Sequence, residues 1–140
     1  MTLLKPISAL LCGLALTTSA TRAVAQDNKL LATEEYRISC QGCHGEKGKG
    51  DGPFGKYLNI KPADLSILSK KNDGVFPVLK VFQSIDGRAQ VAGHGDQSMP
   101  IWGQRYSFEA NAKYGPYGGE AVVRGRILEL VYYIQSLQQK

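Results

Sequence analysis

The residues Cys40-Gln41-Gly42-Cys43-His44 constrain this chain more than any other stretch. Two thiols separated by two residues can each form a thioether with one vinyl group of a porphyrin, and the adjacent histidine can place a ring nitrogen on the iron. This C-x-x-C-H spacing is typical of covalent c-type haem attachment. It predicts one haem c, held by Cys40 and Cys43, with His44 as an axial ligand.

Two other interpretations use the same cysteines. Structural zinc needs four closed ligands, and outside the motif only Cys12 and His94 are cysteine or histidine. A thioredoxin-like dithiol belongs at a strand-to-helix turn, whereas Cys43 is followed by a glycine-rich stretch with no strand pattern. Zinc and dithiol chemistry are the alternatives, and the adjacent histidine favours haem.

The first 25 residues predict export. Lys5 gives a positive start, residues 7–16 are an apolar run, and Ala23-Val24-Ala25 is an A-x-A cleavage site. We expect a signal peptide over residues 1–25 and a periplasmic domain over residues 26–140, with no membrane span after cleavage. An uncleaved anchor is the alternative, although the apolar run is far shorter than the roughly 20 residues that cross a bilayer.

Signal cleavage would leave few residues able to ligate iron. It removes Cys12, so both remaining cysteines belong to the motif, and it leaves Met99 as the last methionine. It also removes Lys5 and Arg22 but no acidic residue, which lowers the formal charge from +5 to +3. Without a disulfide, a haem would add a large apolar body to the core of this small domain.

Apolar spacing predicts three helices. The first begins after Asp27 and runs over about residues 28–39, directly into the motif. Asp73 is expected to cap the second helix, which ends at Gly87. The last helix has the clearest apolar face and covers about residues 120–138.

The stretches between the helices are expected to be loops. Residues 45–61 and 88–117 are rich in glycine, and residues 62–69 have room for one helical turn. Gly125 interrupts the last helix and predicts a close helix crossing, because glycine inside a helix is otherwise unfavourable. No stretch alternates with period two for long, so the predicted fold class is all-α with long loops.

Met99 is the predicted second axial ligand. It lies in Ser98-Met99-Pro100, outside the predicted helices, and is the one thioether left after cleavage. His94 is a rival ligand, and a bis-histidine haem would have a lower reduction potential. Met99 as a plain apolar filler is the other alternative.

These motifs together resemble the class I monohaem cytochromes c of bacteria. The resemblance covers nearly all of residues 26–140, and it is carried by Tyr36, the haem motif, Gly50-Asp51-Gly52-Pro53, Pro62-Ala63-Asp64-Leu65, Met99-Pro100 and Leu130-Val131-Tyr132-Tyr133-Ile134. It implies a class I cytochrome c fold, in which several short helices and long loops wrap around one covalent haem. It also implies that the first and last helices pack across each other, and that the Pro53 carbonyl accepts the second ring N–H of His44.

Three further side chains are candidates for the haem surroundings. Trp102 is expected to close the pocket and to donate its indole N–H to a propionate, with plain core packing as the alternative. Arg88 and Arg105 are candidate propionate partners, or ordinary solvated arginines.

A haem with histidine and methionine ligands has no vacant position for a substrate. We therefore expect an electron-transfer protein and no enzyme, carrying one electron between respiratory or dehydrogenase partners. Four lysines predict a docking rim for an acidic redox partner, with a merely solubilising surface as the alternative. These lysines are Lys47, Lys49, Lys56 and Lys61. Nucleic acid is not expected as a partner of an exported chain with this small excess charge.

Two alternative functions keep the haem. One is a haem enzyme or gas sensor in which Met99 is labile and His94 acts as an acid-base group. The other is the electron-entry cytochrome subunit of a larger oxidoreductase complex. The aromatic stretch 103–119 is longer than the smallest cytochromes of this kind need, and a docking role for it is open.

Overall fold

A computed structural model of the chain describes residues 31–88 and 99–139. Within these ranges the chain is helical and contains no strand, so the all-α prediction is confirmed for the described residues. The helices are α1 (31–39), α2 (Gln41–His44), α3 (Val78–Asp86) and α4 (Trp102–Ser136). Three single 3₁₀ turns cover Gly55–Tyr57, Leu65–Ile67 and Lys70–Asn72. The predicted signal peptide, Cys12 and His94 lie outside the described residues.

Helix α1 leads into the haem motif as predicted. Ala32, Tyr36 and Cys40 recur every four residues and are all buried, so one face of the helix enters the core. The opposite face is exposed and carries an ion pair of 2.6 Å between Glu34 and Arg37. The predicted start of this helix, after Asp27, lies outside the described residues.

Helix α3 ends where predicted but begins differently. Gly87 has a φ of 65° and its N–H donates to the Gln83 carbonyl at 2.9 Å, which closes the helix in the left-handed cap that favours glycine. The predicted cap at Asp73 is wrong. Asp73 ends the preceding 3₁₀ turn with a φ of 51°, and turn and extended chain separate it from Val78.

The largest departure from the predictions is in residues 102–117. They were expected to be loop, but α4 begins at Trp102 and its helical run is interrupted only at Gly115, which has φ 70° and ψ 174° and precedes Pro116. The chain folds back there. Arg126 lies 2.8 Å from Glu109 across the turn. We call residues 102–114 the first arm and residues 116–136 the second arm of this helical hairpin.

Apolar spacing explains why the first arm is helical. Trp102, Tyr106 and Ala110 recur every four residues and are buried, facing the buried stripe of the second arm. The stripe of the second arm is Val123, Ile127, Leu130, Val131 and Ile134. The glycines and tyrosines around residue 115 favour a loop in the sequence despite this four-residue period. In the structure, the packing of the two arms stabilises the helix.

Gly125 does not mark a helix crossing. A Cβ placed on it would meet nothing within 4 Å, because it lies on the solvent side of the second arm. The predicted crossing at this position is therefore wrong within the described residues. The arms approach closely at Gly119 instead, where a Cβ would lie 3.0 Å from the backbone nitrogen of Asn111.

The first and last helices meet in the core. The rings of Tyr36 and Tyr133 lie 4.8 Å apart at 42°, so α1 packs on the second arm. The chain end then closes over the middle of the protein, where the Gln138 side chain donates to the Leu65 carbonyl at 2.7 Å and accepts from the Ser69 N–H at 2.8 Å. Of the helices in the described ranges, none combines the length and apolarity required to cross a bilayer.

Candidate haem-binding site

The haem motif contains one helical turn, α2, whose carbonyl groups are hydrogen-bonded to the chain that follows it. A turn this short leaves its carbonyl oxygens without partners inside the helix. Here every one of them accepts a backbone hydrogen bond. The four carbonyls of α2 accept, in chain order, at 2.8, 2.8, 3.1 and 2.8 Å from the N–H groups of Gly45, Phe54, Gly52 and Gly50. Residues 45–54 of the glycine-rich stretch therefore cover the motif in an ordered conformation, and we call them the cap.

Two glycines in this cap have no room for a side chain. A Cβ on Gly52 would lie 2.6 Å from the Cys43 carbonyl carbon and 2.5 Å from the Gly42 carbonyl oxygen. Gly50 has a φ of 73°, and a Cβ there would clash with the Pro62 carbonyl oxygen. Close backbone approach on both sides of the motif thus requires glycine.

Tyr36 holds the start of the cap. Its hydroxyl donates to the Gly45 carbonyl at 2.8 Å, and its side chain is buried. Burial raises the pKa of Tyr36, so the hydroxyl keeps its proton and remains a donor. The tyrosine of α1 therefore fixes the point at which the chain leaves the motif.

The imidazole of His44 is oriented by a backbone carbonyl. Its Nδ1 lies 3.0 Å from the Ala63 oxygen. A carbonyl can only accept, so Nδ1 carries the proton and Nε2 presents its lone pair. Burial lowers the pKa of His44, which the Ala63 hydrogen bond partly opposes, and the neutral ring is the form that ligates a metal.

The orienting carbonyl belongs to Ala63, whereas the resemblance implied the carbonyl of Pro53. The reason lies in the neighbouring segment: the Leu65 N–H donates to the Gly48 carbonyl at 2.6 Å, and this bond draws residues 62–65 onto the cap. Pro53 lies within the cap, and its side chain is exposed. A backbone acceptor leaves no side-chain signal, so the sequence could not assign this role to Ala63.

The two cysteines differ in environment. Cys40 is buried, Cys43 is partly exposed, and both are free thiols. Burial, with help from the Glu35 carboxylate, raises the pKa of Cys40 to about 12. Reactive dithiols instead have a lowered thiol pKa, so this environment disfavours the thioredoxin-like alternative.

The described residues gather no conventional metal site. Across residues 31–88 and 99–139, no three histidine, cysteine, aspartate or glutamate side chains form a group that could hold an ion. In that part of the chain, the C-x-x-C pair therefore has no further zinc ligands beside it.

Met99 and the haem motif share one hydrophobic core. Met99 is half-buried and packs against the core cluster to which Cys40 also belongs. Pro100, which follows Met99, is exposed, and α4 begins two residues later. The structure therefore brings the predicted distal ligand to the same core as the proximal attachment point.

Trp102 belongs to the core as well. It is only 6% exposed, its ring lies 6.0 Å from that of Tyr106, and the Arg105 guanidinium lies 5.2 Å from its face. These contacts support the core-packing alternative for Trp102. Its propionate hydrogen bond stays a prediction.

The surface beside the motif is basic and apolar. Lys47, Lys49, Lys56 and Lys61 are all exposed. Phe54, which sequence reasoning missed, lies against the motif: a Cβ on Gly42 would meet its ring at 2.7 Å. Helical periodicity could not identify Phe54, because its contact with the motif depends on the missing side chain of Gly42.

The donor set of this site fits a c-type haem. Cys40 is the N-cap of α2, Cys43 is its third residue, and both are free thiols, as thioether attachment to a porphyrin requires. Burial lowers the pKa of His44, and the hydrogen bond at Nδ1 directs the Nε2 lone pair away from Ala63, as a metal ligand requires. Comparisons with protein-family models, curated proteins and solved structures returned no match for this chain.

Proposed function

We propose that this chain is a periplasmic electron-transfer protein of the class I cytochrome c type, with one haem attached through Cys40 and Cys43. The observation that carries the proposal is the His44 ring, held by the Ala63 carbonyl at 3.0 Å in a motif turn whose four carbonyls all accept backbone hydrogen bonds. A dithiol needs no such oriented histidine, and a zinc site would need further ligands, which the described residues do not gather beside this pair.

Each residue of the site has a distinct role in this proposal. Cys40 and Cys43 would anchor the porphyrin, and Nε2 of His44 and the sulfur of Met99 would bind its iron. Bound haem supplies a one-electron iron couple, and methionine ligation favours the reduced state. The proposed site therefore stores one electron and leaves no position open for a substrate.

The rigid frame of the motif suits electron transfer. The hydrogen bonds from the cap and from Ala63 do not depend on the charge of the site, so the His44 ring keeps its place in both redox states. A ligand that need not move adds little to the barrier for gaining or losing an electron. The exposed lysines beside the motif support docking to an acidic partner, which high salt would weaken.

Covalent attachment is tested directly by expressing the full chain in a bacterial host that matures c-type haem. The purified periplasmic protein is extracted with acidified acetone, which removes haem that is not covalently bound. The wild type should retain haem, and Cys40→Ser/Cys43→Ser should lose it. A wild-type protein without covalent haem, or a double variant that keeps it, would contradict the proposal.

One observation favours a second candidate, the electron-entry subunit of a larger complex. The helical hairpin exposes three aromatic side chains, with Phe108 at 84% and Tyr117 at 93% exposed beside a half-exposed Tyr114. Aromatic side chains are enriched in protein–protein interfaces relative to the rest of a protein surface. Copurification of a stable partner at constant stoichiometry would favour the subunit, whereas a monomer through every step would favour the free carrier.

A further inference from the structure

Met99 lies near the end of the connection between α3 and α4. The chain segments at the two ends of this connection lie against each other. A Cβ on Gly87 would lie 3.1 Å from Cγ2 of Ile101 and 3.3 Å from its Cα. A Cβ on Gly103 would lie 2.5 Å from the Asp86 carbonyl oxygen. Residues 86–88 and 101–103 therefore touch, with glycine at both points of contact, and we call these two segments the neck.

Arg88 joins the neck to the helical hairpin. Its Nε lies 2.6 Å from Oδ1 of Asp86, and its terminal nitrogens bind both carboxylate oxygens of Glu120, at 2.7 and 3.1 Å. The same guanidinium lies 3.2 Å from the Ser107 hydroxyl. One side chain thus connects the end of α3 to both arms of α4, in the two-pronged geometry that arginine alone offers a carboxylate.

The neck lies next to the predicted distal ligand. Met99 is two residues before Ile101, is half-buried and packs on the core. A thioether is a neutral ligand, so its residence on iron depends on how well the chain holds it in place. Separating the ends of the connection would lower the effective concentration of the sulfur at the iron.

We propose that Arg88 is a positioning residue, which holds the neck closed and thereby keeps Met99 in place as the distal ligand. This inference rests on the proposed function. It assigns Arg88 a role other than the propionate contact considered for it from the sequence, because the described partners of its guanidinium are Asp86, Ser107 and Glu120.

Arg126 provides a matched control. It also pairs with a carboxylate across the hairpin, Glu109 at 2.8 Å, and its side chain is 39% exposed against 31% for Arg88. Its guanidinium lies over the Tyr106 ring at 4.8 Å, away from the neck. Arg126 also lies 3.9 Å from Glu35, so each arginine pairs with two carboxylates, but only Arg88 belongs to the neck.

The test uses haem-loaded wild type, Arg88→Gln and Arg126→Gln. External imidazole is titrated into each ferric protein, and displacement of Met99 is followed by loss of the weak far-red band of sulfur-bound ferric haem. We expect the apparent imidazole Kd of Arg88→Gln to be about fivefold lower than that of wild type, the size expected for a half-buried ion pair. The Kd of Arg126→Gln should stay within about twofold of wild type. If Arg88→Gln yields no haem protein, Glu120→Gln carries the same expectation, with Asp86 still bound to Arg88.

The other outcomes overturn the inference in distinguishable ways. An unchanged Kd in Arg88→Gln, or an equal fall in both arginine variants, removes the positioning role and leaves the proposed function intact. A wild-type protein without the far-red band overturns Met99 ligation itself, and the inference with it. Thermal unfolding of the three proteins shows whether the arginine variants lose comparable stability, so that a difference in Kd reports the neck.

Discussion

The haem-motif turn and the helical hairpin are both built around glycines, but in opposite ways. The four carbonyls of α2 are bonded to N–H groups of the glycine-rich cap, and Gly52 lies against the backbone of the motif. The arms of the hairpin satisfy their own backbone groups, and side chains such as Arg126 and Glu109 join them. Gly125 there lies in open space.

This contrast separates two kinds of sequence constraint. In the motif turn, contacts between backbone groups determine the structure, so a side chain added at one of the glycines would push the motif backbone away. In the hairpin the packing of Tyr106 and its neighbours determines the structure, so outward positions accept change. The predictions below follow this difference from the largest expected effect to the smallest.

The largest effect is expected for Gly52→Ala in the haem-loaded protein. The added methyl would lie 2.5 Å from the Gly42 carbonyl oxygen, and backbone cannot rotate away as a side chain can. The free energy of unfolding should fall by about 3 kcal/mol, measured by guanidinium denaturation. A loss below about 1 kcal/mol would show that the cap is not rigid.

A smaller loss is expected for Tyr36→Phe. The variant keeps the ring against Tyr133 but removes the hydroxyl that donates to Gly45 at 2.8 Å, leaving a buried carbonyl without its donor. Urea denaturation should give a loss of about 1.5 kcal/mol. Tyr132→Phe is the control, because that side chain is 58% exposed. Equal stability of the two variants would contradict the role of Tyr36.

The sequence predicted the motif region better than the hairpin, for a physical reason. The haem motif, the buried face of α1 and the end of α3 at Gly87 depend on local spacing and local backbone geometry. The first arm depends on residues far along the chain, since it is stabilised by packing on the second arm. Local composition around Gly115 therefore predicted a loop where the fold has a helical hairpin.

Backbone contacts were the other limit on prediction from sequence. The acceptor for His44 was assigned to Pro53, but the fold supplies the Ala63 carbonyl because residues 62–65 bond to the cap. Asp73 likewise carries a good capping side chain and yet lies in a left-handed turn before α3. Any residue could supply the backbone carbonyl, and aspartate is compatible both with a helix cap and with a left-handed turn, so the pattern could not decide either outcome.

The opposite sign of effect is expected in the hairpin. Gly125→Ala adds a methyl that meets nothing within 4 Å, on the solvent side of the second arm. Alanine is the better helix former, so the free energy of unfolding should rise by about 0.5 to 1 kcal/mol. Thermal and urea unfolding of the variant check this. A destabilised variant would indicate a neighbour at this position, as in a helix crossing or a bound partner.

The smallest effect is a pH dependence in the hairpin. The hydrogen bond from Arg126 holds the pKa of Glu109 below its usual range, so this pair stabilises the fold above the ordinary glutamate pKa. Its contribution disappears as the pH falls through the lowered pKa. Glu109 is half exposed, so solvent screens the pair and its contribution is at most about 1 kcal/mol at neutral pH.

The measurement for this prediction is the stability difference between wild type and Glu109→Gln. We expect it to be present at pH 7, to shrink on acidification and vanish once the pH is below the lowered pKa of Glu109, and to shrink also when salt is added at pH 7. A difference that grows on acidification would contradict the sign of the argument.

The optical spectrum of the oxidised periplasmic protein, compared with that of Met99→Ala, tests the central claim most directly. The claim is that Cys40, Cys43 and His44 hold one haem whose distal ligand is Met99. We predict a low-spin spectrum with the weak far-red band of methionine sulfur on ferric haem in the wild type, and its loss in Met99→Ala. A wild-type protein that lacks this band, or a Met99→Ala variant that keeps it, would contradict the account.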